Sequence, residues 1–401
     1  MNHSPRASTG RFAGFAALLV GIGLGRFAYP PLIPALIKQR WFSAPQADYL
    51  ASTAMAGYVV GALIAGHRLW KPGPSFTIRA SMIAASASFV TCAAPLTFGW
   101  FFLWRLLAGV AAGFLMVTAV PGIIARTPPE QRGRASGIIF TGIGAGIAAA
   151  GALIPVLARR SLPAAWVGIG IASFVLTFAV WQYWPRLALP FEEQLTDPRS
   201  MRFGMPIALL VAAYCGAAAG FAPHSVFWVD FIARGLHRGL TSGGHYWILM
   251  GVAAAAGPTI AGSVADRVGF SLSLRCALSL EAVGVGLPVF SHAVASLAMS
   301  SVLVGSMSMA IVTLAAGRVS ELVPVSGQKQ AWSWMTTGFS IVYAAGAWGL
   351  SFLYADAHSY SPIFAVGAAA LIVGAFLEAG SSRMASAAGL NSQPEHPGNV
   401  S

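Results

Sequence analysis

Four polar residues interrupt long apolar runs and are the first candidates for chemistry: Arg26, Arg105, His224 and Glu281. A guanidinium deep in hydrocarbon costs at least about 2.5 to 3.5 kcal/mol, so Arg26 needs a partner, a water-filled cavity or an anion. Tyr29 and Pro30 follow at i+3 and i+4, which puts Tyr29 on the same helical face and lets it share that lining. Snorkelling to an interface is the bland alternative, and the depth of Arg26 opposes it. Arg105 lies closer to the end of its run, roughly 9 Å in at 1.5 Å per residue, so snorkelling, helix-to-helix hydrogen bonding and substrate contact all stay open. Either arginine could hold a carboxylate bidentately. His224 could donate to a ligand or carry a proton near neutral pH, or it could be a satisfied packing histidine. Glu281 alone among the acids stands near the middle of a run; it is protonated, paired with a neighbouring helix or exposed to a pathway.

Several chemistries are missing from the sequence. There is no nucleophilic triad, no phosphate-binding loop and no metal-ligand constellation, and Cys92, Cys215 and Cys276 are far apart in apolar stretches. The expectation is a non-enzyme with no cofactor and no metal.

The elements that position these residues are membrane helices. Of 401 residues 56% are hydrophobic and only 9% charged, a balance too apolar for a water-soluble globule. Six apolar runs lie between 11 and 184 and six more between 204 and 380, each close to the roughly 20 residues that cross a bilayer. The expected organisation is an arm at 1–10, a six-helix bundle at 11–186, a polar linker at 187–202, a second bundle at 203–380 and a disordered tail at 381–401. The net charge of +12 is scattered between runs instead of forming a nucleic-acid patch. With the amino terminus in the cytoplasm, sixteen Lys and Arg fall on the cytoplasmic side and six on the other, so both termini are expected there.

The halves are related. A shift of 196 residues, without gaps, pairs Gly61–Gly66 with Gly257–Gly262, Gly73 with Gly269, Arg79 with Arg275, Gly109 with Gly305 and Pro128 with Pro324. Two six-helix units in the same orientation form a parallel repeat about an axis along the membrane normal. The same shift sets His224 against Ala28, within a turn of Arg26. It also exposes a loop motif: Gly262, Asp266, Arg267 and Gly269 fit GxxxDRxG, and the first-half counterpart, Gly66 to Gly73, has Trp70 in place of the acid. Gly262 permits close approach, Gly269 a tight turn, and Asp266 can accept from amides at a helix N-terminus.

These residues resemble the signature loop of the major facilitator superfamily, GxxxDRxGRR. Arg105 and Gly109 match its helix 4 signature, an arginine followed four residues later by glycine. GIGLGRFAYPPLIPAL, ADYLASTAMAGYVVGALIAG and RGRASGIIFTGIGAG look more narrowly like the bacterial YbfB/YjiJ-type branch. The resemblance implies an all-α fold of twelve transmembrane helices in two bundles, working by alternating access in the bacterial inner membrane. It implies that helices 1 and 7 face each other across a central cavity, and it links the Arg105 position to proton coupling or structural support. Phe270 replaces the basic pair, the first loop lacks its acid and Pro155 is displaced from the antiporter position, departures that tell against proton antiport.

The combined expectation is a secondary transporter of a small organic anion, a carboxylate, by proton symport or anion exchange, acting as a monomer in the lipid bilayer. Arg26, Tyr29, Arg105 and His224 are its candidate substrate contacts. Gly262, Asp266, Arg267, Gly269, Arg134 and Arg318 are candidate gating residues, with Asp266 latching to the start of helix 5 near Arg134 or to Arg318. The rivals are a proton-coupled exporter of amphipathic or cationic drugs and a transporter-like sensor without flux.

Overall fold

The structure, a computed structural model, describes residues 5–66, 72–124, 126–127, 131–186 and 204–388. The expected linker and the Trp70 loop lie outside the described residues. Twelve helical stretches form the bundle: α1 (Gly10–Lys38), α2 (Ala44–Gly66), α3 (Pro74–Thr91), α4 (Phe98–Ile124), α5 (Arg132–Ala158), α6 (Leu162–Ala179), α7 (Met205–Gly235), α8 (Gly239–Val268), α9 (Phe270–Phe290), α10 (Val294–Leu322), α11 (Val325–Ala357) and α12 (Ser361–Ala387). Eleven of them are long and apolar enough to cross a membrane; α3, with 18 residues rich in Ser and Thr, is the twelfth member. The helix containing the arm begins at Pro5, and α12 runs on to Ala387, past the point where a tail was expected.

The helices associate through small residues, which allow close approach where lipid supplies no hydrophobic drive. A Cβ on Gly146 of α5 would sit 2.5 Å from Gly23 Cα on α1. One on Gly251 of α8 would sit 2.4 Å from Ala148 N on α5. The α5–α8 and α2–α11 pairs join the two halves.

Two helices are irregular for a reason visible in the sequence. In α1, a π-helical segment at Leu19–Leu24 and a turn at residues 25–28 precede Tyr29–Lys38, which opens with Pro30 and Pro31. Proline has no amide hydrogen, so the carbonyls of Arg26 and Phe27 lose their helical donors. Its repeat partner α7 carries π-helical segments at Pro223–Phe227 and Phe231–Gly235. Such single-turn bulges recur at functional sites.

Candidate functional site

A cavity of about 1030 Å³ lies between the halves, and its lining runs from mid-bundle toward the face that carries the chain ends. Arg26 and Phe27 of α1, Tyr58 of α2, Phe221 of α7, and Trp332 and Phe339 of α11 contribute to its wall, which is mostly apolar. Toward the opposite face the halves are closed. Trp247 of α8 donates its indole N–H to the Phe27 carbonyl at 3.1 Å, and Tyr49 of α2 meets Phe352 of α11 at 5.5 Å between ring centroids.

Arg26 is the cation of this cavity. Its guanidinium stands 4.1 Å from the centroid of the Tyr343 ring, 4.7 Å from that of Phe27 and 5.8 Å from that of Phe221. Nε and Nη2 are buried without a hydrogen-bond partner, and among the described residues no carboxylate is within ion-pair distance. Aromatic faces stabilise a cation without consuming its N–H groups, so the donors remain available to a ligand. Tyr343 is itself fixed by a 2.6 Å hydrogen bond with Ser225 of α7.

Arg105, Tyr29 and His224 stand behind the lining, so of the four only Arg26 lines this cavity. Arg105, 2% exposed, donates from Nη1 to the Gly25 carbonyl at 2.9 Å and lies 4.4 Å from the Tyr29 ring centroid. It thereby fixes the turn that aims Arg26. Tyr29 spends its hydroxyl on the Ala47 carbonyl of α2 at 3.0 Å. His224 is fully buried, with Nε2 2.8 Å from Ser300 Oγ of α10 and its ring stacked on Trp228 at 4.3 Å. Its repeat counterpart Ala28 is likewise buried outside the lining. Two residues turn a helix by about 200°, so sharing a level with Arg26 did not mean sharing its face.

Glu281 of α9 reaches the cavity wall. Ser308 of α10 donates to its Oε1, and Oε2 is buried without a partner. This carboxyl and the Trp247 bond across the halves were not assigned as site features from sequence. Glu281 was legible as the lone mid-run acid, and the Trp247 contact was not, because nothing local marks a long-range indole donor.

In the repeated loop, Gly269 ends α8 with φ of 86°, as a tight turn requires. Nothing crowds Gly262 within 4 Å, so the close approach expected there is not present in this conformation. Asp266 and Arg267 are exposed, and among the described residues neither has a hydrogen-bond or ion-pair partner. The Arg134 side chain lies outside the described residues. Arg318 is committed elsewhere: Nη1 is 2.6 Å from Glu321, and Nε is 3.3 Å from Glu378 of α12, which also pairs with Arg275 of α9 at 3.3 Å. The repeat partner of Arg275, Arg79, donates to the Trp181 carbonyl at 2.8 Å beyond the end of α6. The equivalent arginines thus tie equivalent helix ends by different acceptors. Among the described residues no cluster of His, Cys, Asp or Glu is suited to a metal.

Comparison with known proteins agrees with this architecture. The family model described as the uncharacterised MFS-type transporter YbfB matches residues 18–379. Uncharacterised MFS-type transporters of two Mycobacterium tuberculosis strains are each 29% identical over 180 residues, 43% of this chain and 40% of the relative. The match therefore spans less than half the length of those relatives. The fold superposes, with a TM-score of 0.74 at 15% identity, on the crystal structure of a bacterial homologue of the human lysosomal transporter Spinster in its inward-facing, unoccupied conformation, covering 98% of this chain and all of that one.

Proposed function

The chain belongs to the YbfB-type family of major facilitator superfamily transporters, and on that premise we propose that it moves a small organic anion, a carboxylate, across the bacterial inner membrane by alternating access. The observation that carries this reading is Arg26: a cation in the central cavity, caged by three rings, with buried N–H donors and, among the described residues, no acid within ion-pair distance. A carboxylate satisfies both the charge and the donors at once. The surrounding apolar wall suits the body of an organic acid. Arg105 and Tyr29 support the turn behind Arg26, and His224 supports α7 against α10 and α12. The excess of Lys and Arg on the terminal face supports a cytoplasmic location for it, and the cavity then opens inward.

Thermal unfolding of the purified protein against carboxylates, sulfonates and cationic dyes tests the proposal. Carboxylates are expected to raise the Tm of the wild type and to leave Arg26→Ala and Arg26→Lys unmoved, since Lys keeps the charge and loses the planar fork. Carboxylate stabilisation that survives in both variants overturns the site. The partnerless Oε2 of Glu281 favours a second reading, proton-coupled export of amphipathic cations. Cationic dyes that stabilise the wild type and Arg26→Ala equally, and not Glu281→Gln, would select it. Solute flux in proteoliposomes separates either transporter from a sensor.

A further inference from the structure

A second cavity, of about 1190 Å³, lies on the face opposite the chain ends, and its wall has one sign of charge. Lys38, Arg159, Arg234, His237, His292 and His358 line it, and no Asp or Glu does. Lys38, Arg159 and the three histidines are exposed. The Lys and Arg come from both halves, Lys38 and Arg159 from the ends of α1 and α5 and Arg234 from the end of α7, and the histidines follow α7, α9 and α11.

The floor of this vestibule is the outer closure. Arg234, 29% exposed by side chain, forks onto Asp230 at 2.6 and 2.8 Å. Tyr360 donates to Asp230 Oδ2 at 2.6 Å and Tyr354 donates to Tyr360 at 3.2 Å, so the ends of α7, α11 and α12 are tied together. Burial, and after it the Asp230 charge, push the Tyr360 phenol well above its ordinary range, so it remains a donor. Asp230 is 2% exposed, and the Trp228–Asp230 segment of α7 packs against Tyr29–Lys38 of α1, in the other half. The Asp230 carboxylate is therefore buried at the seam between the halves, with Arg234 and Tyr360 offsetting its charge.

We propose that this basic vestibule is an outer-face binding site for organic carboxylates, and that a carboxylate bound there takes Arg234 from Asp230 and loosens the outer closure. An incoming carboxylate meets a cationic wall that raises its local concentration, and the partly exposed guanidinium fork offers it the geometry it now gives Asp230. Once Arg234 turns to the ligand, Asp230 keeps Tyr360 and loses its cation. A buried carboxylate without its cation is costly, water reaches it only if the α1 and α7 segments part, and the outer ends separate. The ligand class rests on the organic-anion reading, whereas the location does not depend on Arg26.

Distances between nitroxides on Gln46→Cys of α2 and Asp356→Cys of α11, with Cys92, Cys215 and Cys276 replaced by Ala, test this in lipid nanodiscs. Benzoate is the probe and tetramethylammonium the control. In an Arg26→Ala background, which silences the central site, benzoate is expected to lengthen the outer distance and tetramethylammonium to leave it unchanged. Adding Lys38→Gln and Arg159→Gln is expected to raise the half-effect concentration roughly tenfold, the low end of electrostatic focusing in a charged cleft. Three outcomes overturn the proposal: no lengthening with benzoate, equal lengthening with tetramethylammonium, or an unchanged half-effect concentration in the double variant. A response in the Arg26→Ala background, with no carboxylate effect on wild-type Tm, would reject the central site and retain the vestibule.

Discussion

At the scale of single residues, two arginines at neighbouring levels of the bundle do different work. Arg26 keeps its donors because aromatic rings take up its charge; Arg105 gives a donor to a carbonyl beside a break in α1. Arg105→Ala should therefore cost stability, about 1.5 to 3 kcal/mol for a lost hydrogen bond from a charged donor. The affinity of the refolded or thermally intact fraction for carboxylates should fall less than in Arg26→Ala. Denaturation by heat together with ligand titration checks this, and a variant that keeps full Tm but loses binding would place Arg105 in the cavity. Trp247→Phe removes one N–H from the Phe27 carbonyl, a bond that spans the two halves only while the outer side is closed. About 0.5 to 1.5 kcal/mol of preference for the closed outer side should go with it. Alkylation of a cysteine placed at Phe27 by an impermeant reagent applied from the outer face should accelerate in that variant.

At the scale of elements, the sequence pattern was a good guide to which helices exist and a poorer one to how they face. Twelve runs, the repeat and the Gly-rich crossings could all be read from apolar length and small-residue spacing, because bilayer thickness and close approach act locally. The Pro30–Pro31 pair marks the break in α1, and the single helical face expected across Arg26, Tyr29 and Pro30 did not allow for it. The direction of His224 was misjudged from its level alone, since two residues past the Arg26 level turn a helix by about 200°. The Arg275, Arg318, Glu321 and Glu378 network was equally hidden, because its members come from three helices. The α5–α8 crossing yields a prediction at this scale. Gly251→Leu would force a side chain into a site where even a Cβ sits 2.4 Å from Ala148 N. Overpacking of this kind costs about 1 to 3 kcal/mol, and the strain is relieved if the outer halves part. Spin-label distances between the outer ends of α5 and α8 should lengthen, and an unchanged distribution with an unchanged Tm would show that the crossing is slack.

At the scale of the whole molecule, the cavity opens toward the terminal face, and Asp266 is exposed there with no side-chain partner among the described residues, which suits a latch whose side is open. Its proposed seat is the start of α5, where helix amides and the positive end of the dipole favour a carboxylate. Arg318 is already held by Glu321 and Glu378, so α5 is the better partner. Asp266→Asn should lower the outward-open population by about 1 to 3 kcal/mol while retaining carboxylate binding. Distances between labels on the terminal ends of α5 and α8 would report the shift, and identical distributions in variant and wild type would reject the latch.

The buried network at that same face bears on how the chain is made. Arg275 and Arg318 are synthesised on α9 and α10, and both pair with Glu378, which follows on the last helix. A nascent chain that has not yet released α12 carries these two cations without the Glu378 carboxylate that pairs with both. The pairing of Arg275 and Arg318 with Glu378 therefore waits for α12, which enters the membrane with the charge that joins them.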